Sequence, residues 1–154
     1  MTALVAAVVA LAGPPVVVTV EAPDVSVAVG ETAEARVFVR IRPGFHVQAN
    51  PAAEDFLVPL AVEIRERPPV RVGRPVYPAG RPHRLRGASR GLLTYEGTVT
   101  VSVPVRAESQ GEAGRDEAFV VSGSLRYQAC DDRVCLRAST VPFRLAVRVA
   151  APPR

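Results

Sequence analysis

Thr98-Val99-Thr100-Val101-Ser102-Val103-Pro104-Val105 is the stretch that decides the fold. Successive side chains of a β-strand point to opposite faces, so the four valines here form one apolar face and the alternate residues the other. Valine is branched at Cβ, which suits a pleated, half-buried surface better than a helix. The same period recurs on both sides of this stretch. Val37, Val39 and Ile41 alternate with Arg36, Arg40 and Arg42, and Phe143, Leu145, Val147 and Val149 alternate with Arg144, Ala146 and Arg148. Val16 to Glu21, Val25 to Val29, Phe45 to Gln48, Leu60 to Arg65 and Phe119 to Ala129 are further strand candidates, separated by Pro-Asp, Val-Gly-Glu and Arg-Pro-Gly breaks. No segment carries a helical apolar stripe. Seven to nine short strands punctuated in this way predict an all-β chain folded as an immunoglobulin-like β-sandwich.

Composition agrees with that class and narrows the partners. A chain of 154 residues suits one domain with a core large enough to fold without cross-links. Hydrophobic residues make up 48% but aromatics only 5%, so the core must be built from aliphatic side chains. The net charge of +4 comes entirely from arginine against acid, since the chain has no lysine. Those arginines are scattered instead of clustered with aromatics, which argues against nucleic acid as a partner.

Two stretches fall outside the period-two pattern. Residues 1–12 are almost wholly apolar and end in Ala10-Leu11-Ala12, a small-x-small pattern expected of a secretion signal and its cleavage site. No basic residue precedes the run, so the true start is expected to lie upstream. Residues 13–154 then form the domain. No other apolar run reaches the length of a membrane-spanning helix, so no transmembrane segment is expected in the mature chain. The stretch 68–91 holds Pro68, Pro69, Pro75, Pro78 and Pro82 with Gly73, Gly80, Gly87 and Gly91, which predicts one long loop in which Tyr77-Pro78 acts as a stiff cover.

The chemistry concentrates in Tyr127-Gln128-Ala129-Cys130-Asp131-Asp132-Arg133-Val134-Cys135-Leu136, which holds both cysteines. If the flanking residues are antiparallel strands, the four residues between the cysteines make a hairpin loop and place them opposite one another. Paired residues have Cα atoms about 4.5–5.5 Å apart, within the span of a disulfide. A loop of this size yields only about 2 kcal/mol of chain-entropy stabilisation, so a staple here contributes little. Spacing alone leaves a structural bond and a cycling redox pair equally open. A metal site is disfavoured, because His46 and His83 sit far from the cysteines in sequence and without ligand-like spacing. No cofactor is expected.

Several segments together resemble a known family. Pro43-Gly44-Phe45-His46-Val47-Gln48-Ala49-Asn50-Pro51, Leu57-Val58-Pro59-Leu60, Pro75-Val76-Tyr77-Pro78, Tyr95-Glu96-Gly97 and the Arg126-Tyr127-Gln128-Ala129-Cys130-Asp131-Asp132 string ending in Cys135-Leu136 follow one another as in the N-terminal periplasmic domain of DsbD-type thiol:disulfide interchange proteins. The resemblance runs from about Val25 to Val149. It departs after Cys135, where prolines often found in the family are replaced by Leu136-Arg137-Ala138-Ser139.

That resemblance implies an exported periplasmic module whose Cys130/Cys135 pair relays electrons. The donor would be a thioredoxin-like partner or a separate membrane electron-transfer protein, and the acceptors periplasmic oxidoreductases of the thioredoxin fold, with cytochrome c maturation among the possible destinations. Cys135 is expected to bond the downstream partner. Asp131 and Asp132 should oppose ionisation of the adjacent thiol, with Arg133 offsetting them in part. His46 would serve as a proton carrier if its strand borders the site. Tyr77, Tyr95 and Tyr127 are candidates to shield the sulfurs, although Tyr127 shares a face with Leu125 and Ala129 and reads more readily as core. The competing class is a non-catalytic immunoglobulin-like binding module with an inert disulfide.

Overall fold

The computed structural model describes residues 16–84, 91–108 and 116–150. The expected leader at 1–12 and part of the stretch 68–91 lie outside those residues. Twelve strands are described: β1 (Val18–Glu21), β2 (Val25–Ala28), β3 (Thr32–Ile41), β4 (His46–Gln48), β5 (Ala61–Ile64), β6 (Val70–Val72), β7 (Arg81–His83), β8 (Leu92–Tyr95), β9 (Thr98–Ala107), β10 (Glu117–Tyr127), β11 (Ala129–Cys130) and β12 (Ser139–Ala150). They form three four-stranded sheets, ordered β1-β3-β9-β6, β2-β12-β10-β5 and β11-β4-β8-β7. The fold is all-β and sandwich-like, as the alternation of valines predicts.

Long central strands carry the core. In β9 the residues Val99, Val101, Val103, Val105 and Ala107 are buried, and its partner β3 buries Ala35, Val37, Val39 and Ile41. From the other large sheet β10 contributes Phe119, Val121, Leu125 and Tyr127, and β12 contributes Phe143, Leu145, Val147 and Val149. All belong to one apolar cluster. Removing this surface from water drives folding at about 25 cal/mol per Å² of apolar area. β2 lies parallel to β12, with Val25 opposite Val147, whereas the pairings within the other two sheets are antiparallel.

The stretch 68–91 differs from the expected continuous loop, since it contributes the strands β6 and β7. Both lie at sheet edges. An edge strand has one side with no ladder to complete, so it accepts the proline that a central strand excludes, and Pro82 sits within β7.

The third, smaller sheet grows from turns at one end of the sandwich. Arg42-Pro43-Gly44-Phe45 links β3 to β4, closed by the Phe45 N–H donating to the Arg42 carbonyl at 3.1 Å. Proline presets the second position of such a turn, and the third needs a positive φ, supplied by Gly44 at 84°. A second turn through Glu96 and Gly97 joins β8 to β9, and the Ile41 N–H donates to the Gly97 carbonyl at 2.7 Å. Together they carry the chain from the core strands β3 and β9 into β4 and β8, where the chemistry lies.

Candidate functional site

Cys130 and Cys135 are joined by a disulfide, with their Cα atoms 3.9 Å apart. They are antiparallel bridge partners, as the hairpin reading requires. The hairpin is shorter than expected: beyond this bridge the second arm is not a strand, and β12 begins only at Ser139. The turn holds the pair together instead. The Asp131 N–H donates to the Val134 carbonyl at 3.0 Å, and the Leu136 N–H donates to the Ala129 carbonyl at 2.8 Å. Gln128 Nε2 adds a bond to the Leu136 carbonyl at 3.1 Å.

The aspartates divide into two roles. Asp131 Oδ1 accepts the backbone N–H groups of Arg133 at 2.7 Å and Val134 at 2.8 Å. These bonds favour the ionised carboxylate and hold its pKa below the usual value, with the Arg133 guanidinium and His46 assisting. Asp131 is therefore the internal cap of the loop. The Asp132 side chain is 91% exposed and lies 3.9 Å from His83 Nε2.

The two cysteines belong to unlike surroundings. Cys130 is 1% exposed, at the end of β11, whereas Cys135 is exposed. Val134 and Leu136 flank Cys135 and are exposed as well, giving the reachable cysteine an apolar collar.

β11 pairs with β4 so that Cys130 stands opposite His46 and Ala129 opposite Val47. Directly paired residues project to the same face of a sheet, so the strand of His46 does border the site. His46 is only 2% exposed. Burial, its largest influence, lowers its pKa; neighbouring His83 lowers it further, against the carboxylates of Glu96, Asp132 and Asp131. The imidazole is accordingly neutral near pH 7.

His83, discounted from sequence, arrives through β7. β4 pairs with β8 and β8 with β7, with His83 opposite Leu92. The two imidazole rings meet at a centroid distance of 4.2 Å, tilted by 35°. His83 Nδ1 lies 3.5 Å from Glu96 Oε1. Nothing local signalled that His83 and Glu96 would meet His46, because the residues that join them are spread over three strands and a turn.

The tyrosines are fixed by hydrogen bonds or by burial. The Tyr77 hydroxyl accepts the Val62 N–H at 2.9 Å and so ties its segment to β5. Tyr95 donates to the Pro78 carbonyl at 2.7 Å, and its oxygen accepts the Asn50 N–H at 3.2 Å. Tyr127 is buried in the core beside Leu125 and Ala129, opposite Ser139. Burial raises the pKa of all three.

The fold and the site together make an immunoglobulin-like sandwich with a single cysteine pair at an edge strand. The chain belongs to the family of the N-terminal domain of the thiol:disulfide interchange protein DsbD, whose sequence model matches residues 14–146. Membership places the domain in the periplasm, and no helix among the described residues is long and apolar enough to cross a membrane. No curated protein sequence matches the chain. Among solved structures, the N-terminal periplasmic domain of ScsB from Proteus mirabilis is similar to it, with a TM-score of 0.56 and 15% identity over 92% of this chain and 51% of that one. The chain thus spans about half the length of that structure, and likeness at this identity speaks for the fold. A PapD-like domain of human CEP192 aligns over 99% of both chains at 15% identity with a TM-score of 0.45. The periplasmic chaperone SfaE aligns over 86% of this chain and 57% of its own at 11% identity with a TM-score of 0.38.

Proposed function

We propose that the domain relays electron pairs through Cys130 and Cys135, from a thioredoxin-like or membrane-bound reductant to periplasmic oxidoreductases of the thioredoxin fold. The observation that carries this reading is the unequal exposure of the two cysteines.

A donor thiolate attacks the Sγ of Cys135, the exposed residue of the pair. The S–S bond breaks, Cys130 leaves with the electron pair as a thiolate and takes up a proton, and the donor is held on Cys135 as a mixed disulfide. The donor's second thiol then attacks its own bridged sulfur, so the donor departs oxidised and Cys135 is released reduced. In the second half-cycle the Cys135 thiolate attacks a client disulfide, forming a mixed disulfide and expelling one client thiolate. Cys130 resolves this bond, which reforms the internal disulfide and leaves the client with two thiols. Neutral His46, opposite Cys130, is suited to accept the Cys130 proton during resolution. The exposed Val134 and Leu136 supply apolar contact around the reacting sulfur.

Equilibration with glutathione or dithiothreitol redox buffers tests the proposal. A cycling pair should titrate at a potential above about −300 mV, whereas a value well below it would mark an inert bond and favour a binding module.

A further inference from the structure

We propose that His46, His83 and Glu96 form a binding site for a borderline first-row divalent metal ion, of which Zn2+ is the representative, beside the disulfide. One ligand atom from each of these residues lies within 4.8 Å of the others. Ligands of a tetrahedral zinc at about 2.0–2.1 Å from the metal are about 3.4 Å apart, so the three must close by about 1.4 Å at most. Glu96 has the most room to move. The Glu96 side chain is 60% exposed, and His83 sits on the edge strand β7.

A second observation points to a ligand. His46 is 2% exposed, and its Nε2 is buried without a hydrogen-bond partner; His83 Nε2 is in the same condition. A buried imidazole nitrogen left unpaired loses its hydration with nothing in return. An ion between the two rings, which are 4.2 Å apart, would draw on one nitrogen of each and on the Glu96 carboxylate, and would give a buried unpaired nitrogen the partner it lacks. Two imidazoles and one carboxylate match the donor set of zinc sites that keep a fourth position open. Asp132, 3.9 Å from His83 Nε2, adds negative charge at the rim. In the disulfide-bonded chain Cys130 carries no proton, so the role proposed for His46 in exchange does not compete with the ion in this state.

The test is a Zn2+ titration of the full chain, free of any histidine tag and with the disulfide intact so that no thiolate contributes, by competition against a chromophoric chelator. One ion per chain is expected. His83→Asn and Glu96→Gln alter an edge strand and an exposed turn, so both should fold, and His83→Asn should weaken binding at least tenfold. His46→Ala should abolish binding, with circular dichroism to report whether it folds. In imidazole NMR spectra, Zn2+ should shift the nitrogen resonances of both histidines in the parent protein. The site is overturned if the parent binds no Zn2+ below millimolar concentration, or if His83→Asn binds as tightly as the parent. Neither result bears on the redox potential of the disulfide, so the exchange function stands or falls separately.

Discussion

At the scale of single residues, the asymmetry between Cys130 and Cys135 makes the sharpest prediction. With the resolving thiol removed, Cys130→Ser should retain client proteins on the exposed Cys135 as mixed disulfides that survive non-reducing electrophoresis. Cys135→Ser leaves only the buried sulfur and should trap far less. Equal trapping by both variants would refute the division of labour. Folding should change little in either, since closing so short a loop is worth about 2 kcal/mol in the entropy model. Asp131 contributes a pH dependence. Its carboxylate is held below its ordinary pKa of 3.8 by two loop N–H groups, so its contribution to stability is complete above that value and is lost as the pH falls through the folded value. Urea midpoints of the parent and of Asp131→Ala should therefore differ at neutral pH and converge in acid. A constant difference down to pH 2 would contradict the capping role.

At the scale of elements, the β10–β12 pair shows how local packing fixes a register. Gly123 stands opposite Phe143, and a Cβ at that glycine would collide with the Phe143 ring. The aromatic ring covers the space the missing side chain leaves. Gly123→Ala should destabilise the domain by about 1–3 kcal/mol, the usual cost of overpacking, as read by urea denaturation, while the disulfide still forms. The same pair supplies the site, because β10 runs out into β11, and β11 is held by β4 instead of by the sandwich. The strand candidates overlapping β3, β9, β10 and β12 were legible in sequence because each is long enough for the alternation to repeat. The strands β6 and β7 were not, since each holds three residues inside the stretch 68–91, where Pro69, Pro75, Pro78 and Pro82 punctuate the pattern, and β8 follows directly on that stretch.

At the scale of the whole molecule, stability resides in the aliphatic core and not in the cross-link. Leu125 is fully buried, between Val62 of β5 and Val141 of β12 in the sheet register. Leu125→Ala should cost about 2–5 kcal/mol through lost burial and the cavity left behind. Reduction of the disulfide should shift the urea midpoint by less. The reverse ranking would make the bond a staple and weaken the case for a redox role.

The sequence by itself determined the fold class, the pairing of Cys130 with Cys135 and the family, because each rests on residues close along the chain: a two-residue period, a four-residue loop and short ordered motifs. Only the tertiary structure decided which cysteine is exposed, that Tyr77 and Tyr95 serve as backbone ties, and that His46 meets His83 and Glu96. Those relations depend on ladders between strands far apart in sequence, and on burial, which is a property of what packs over a residue and not of the residue itself.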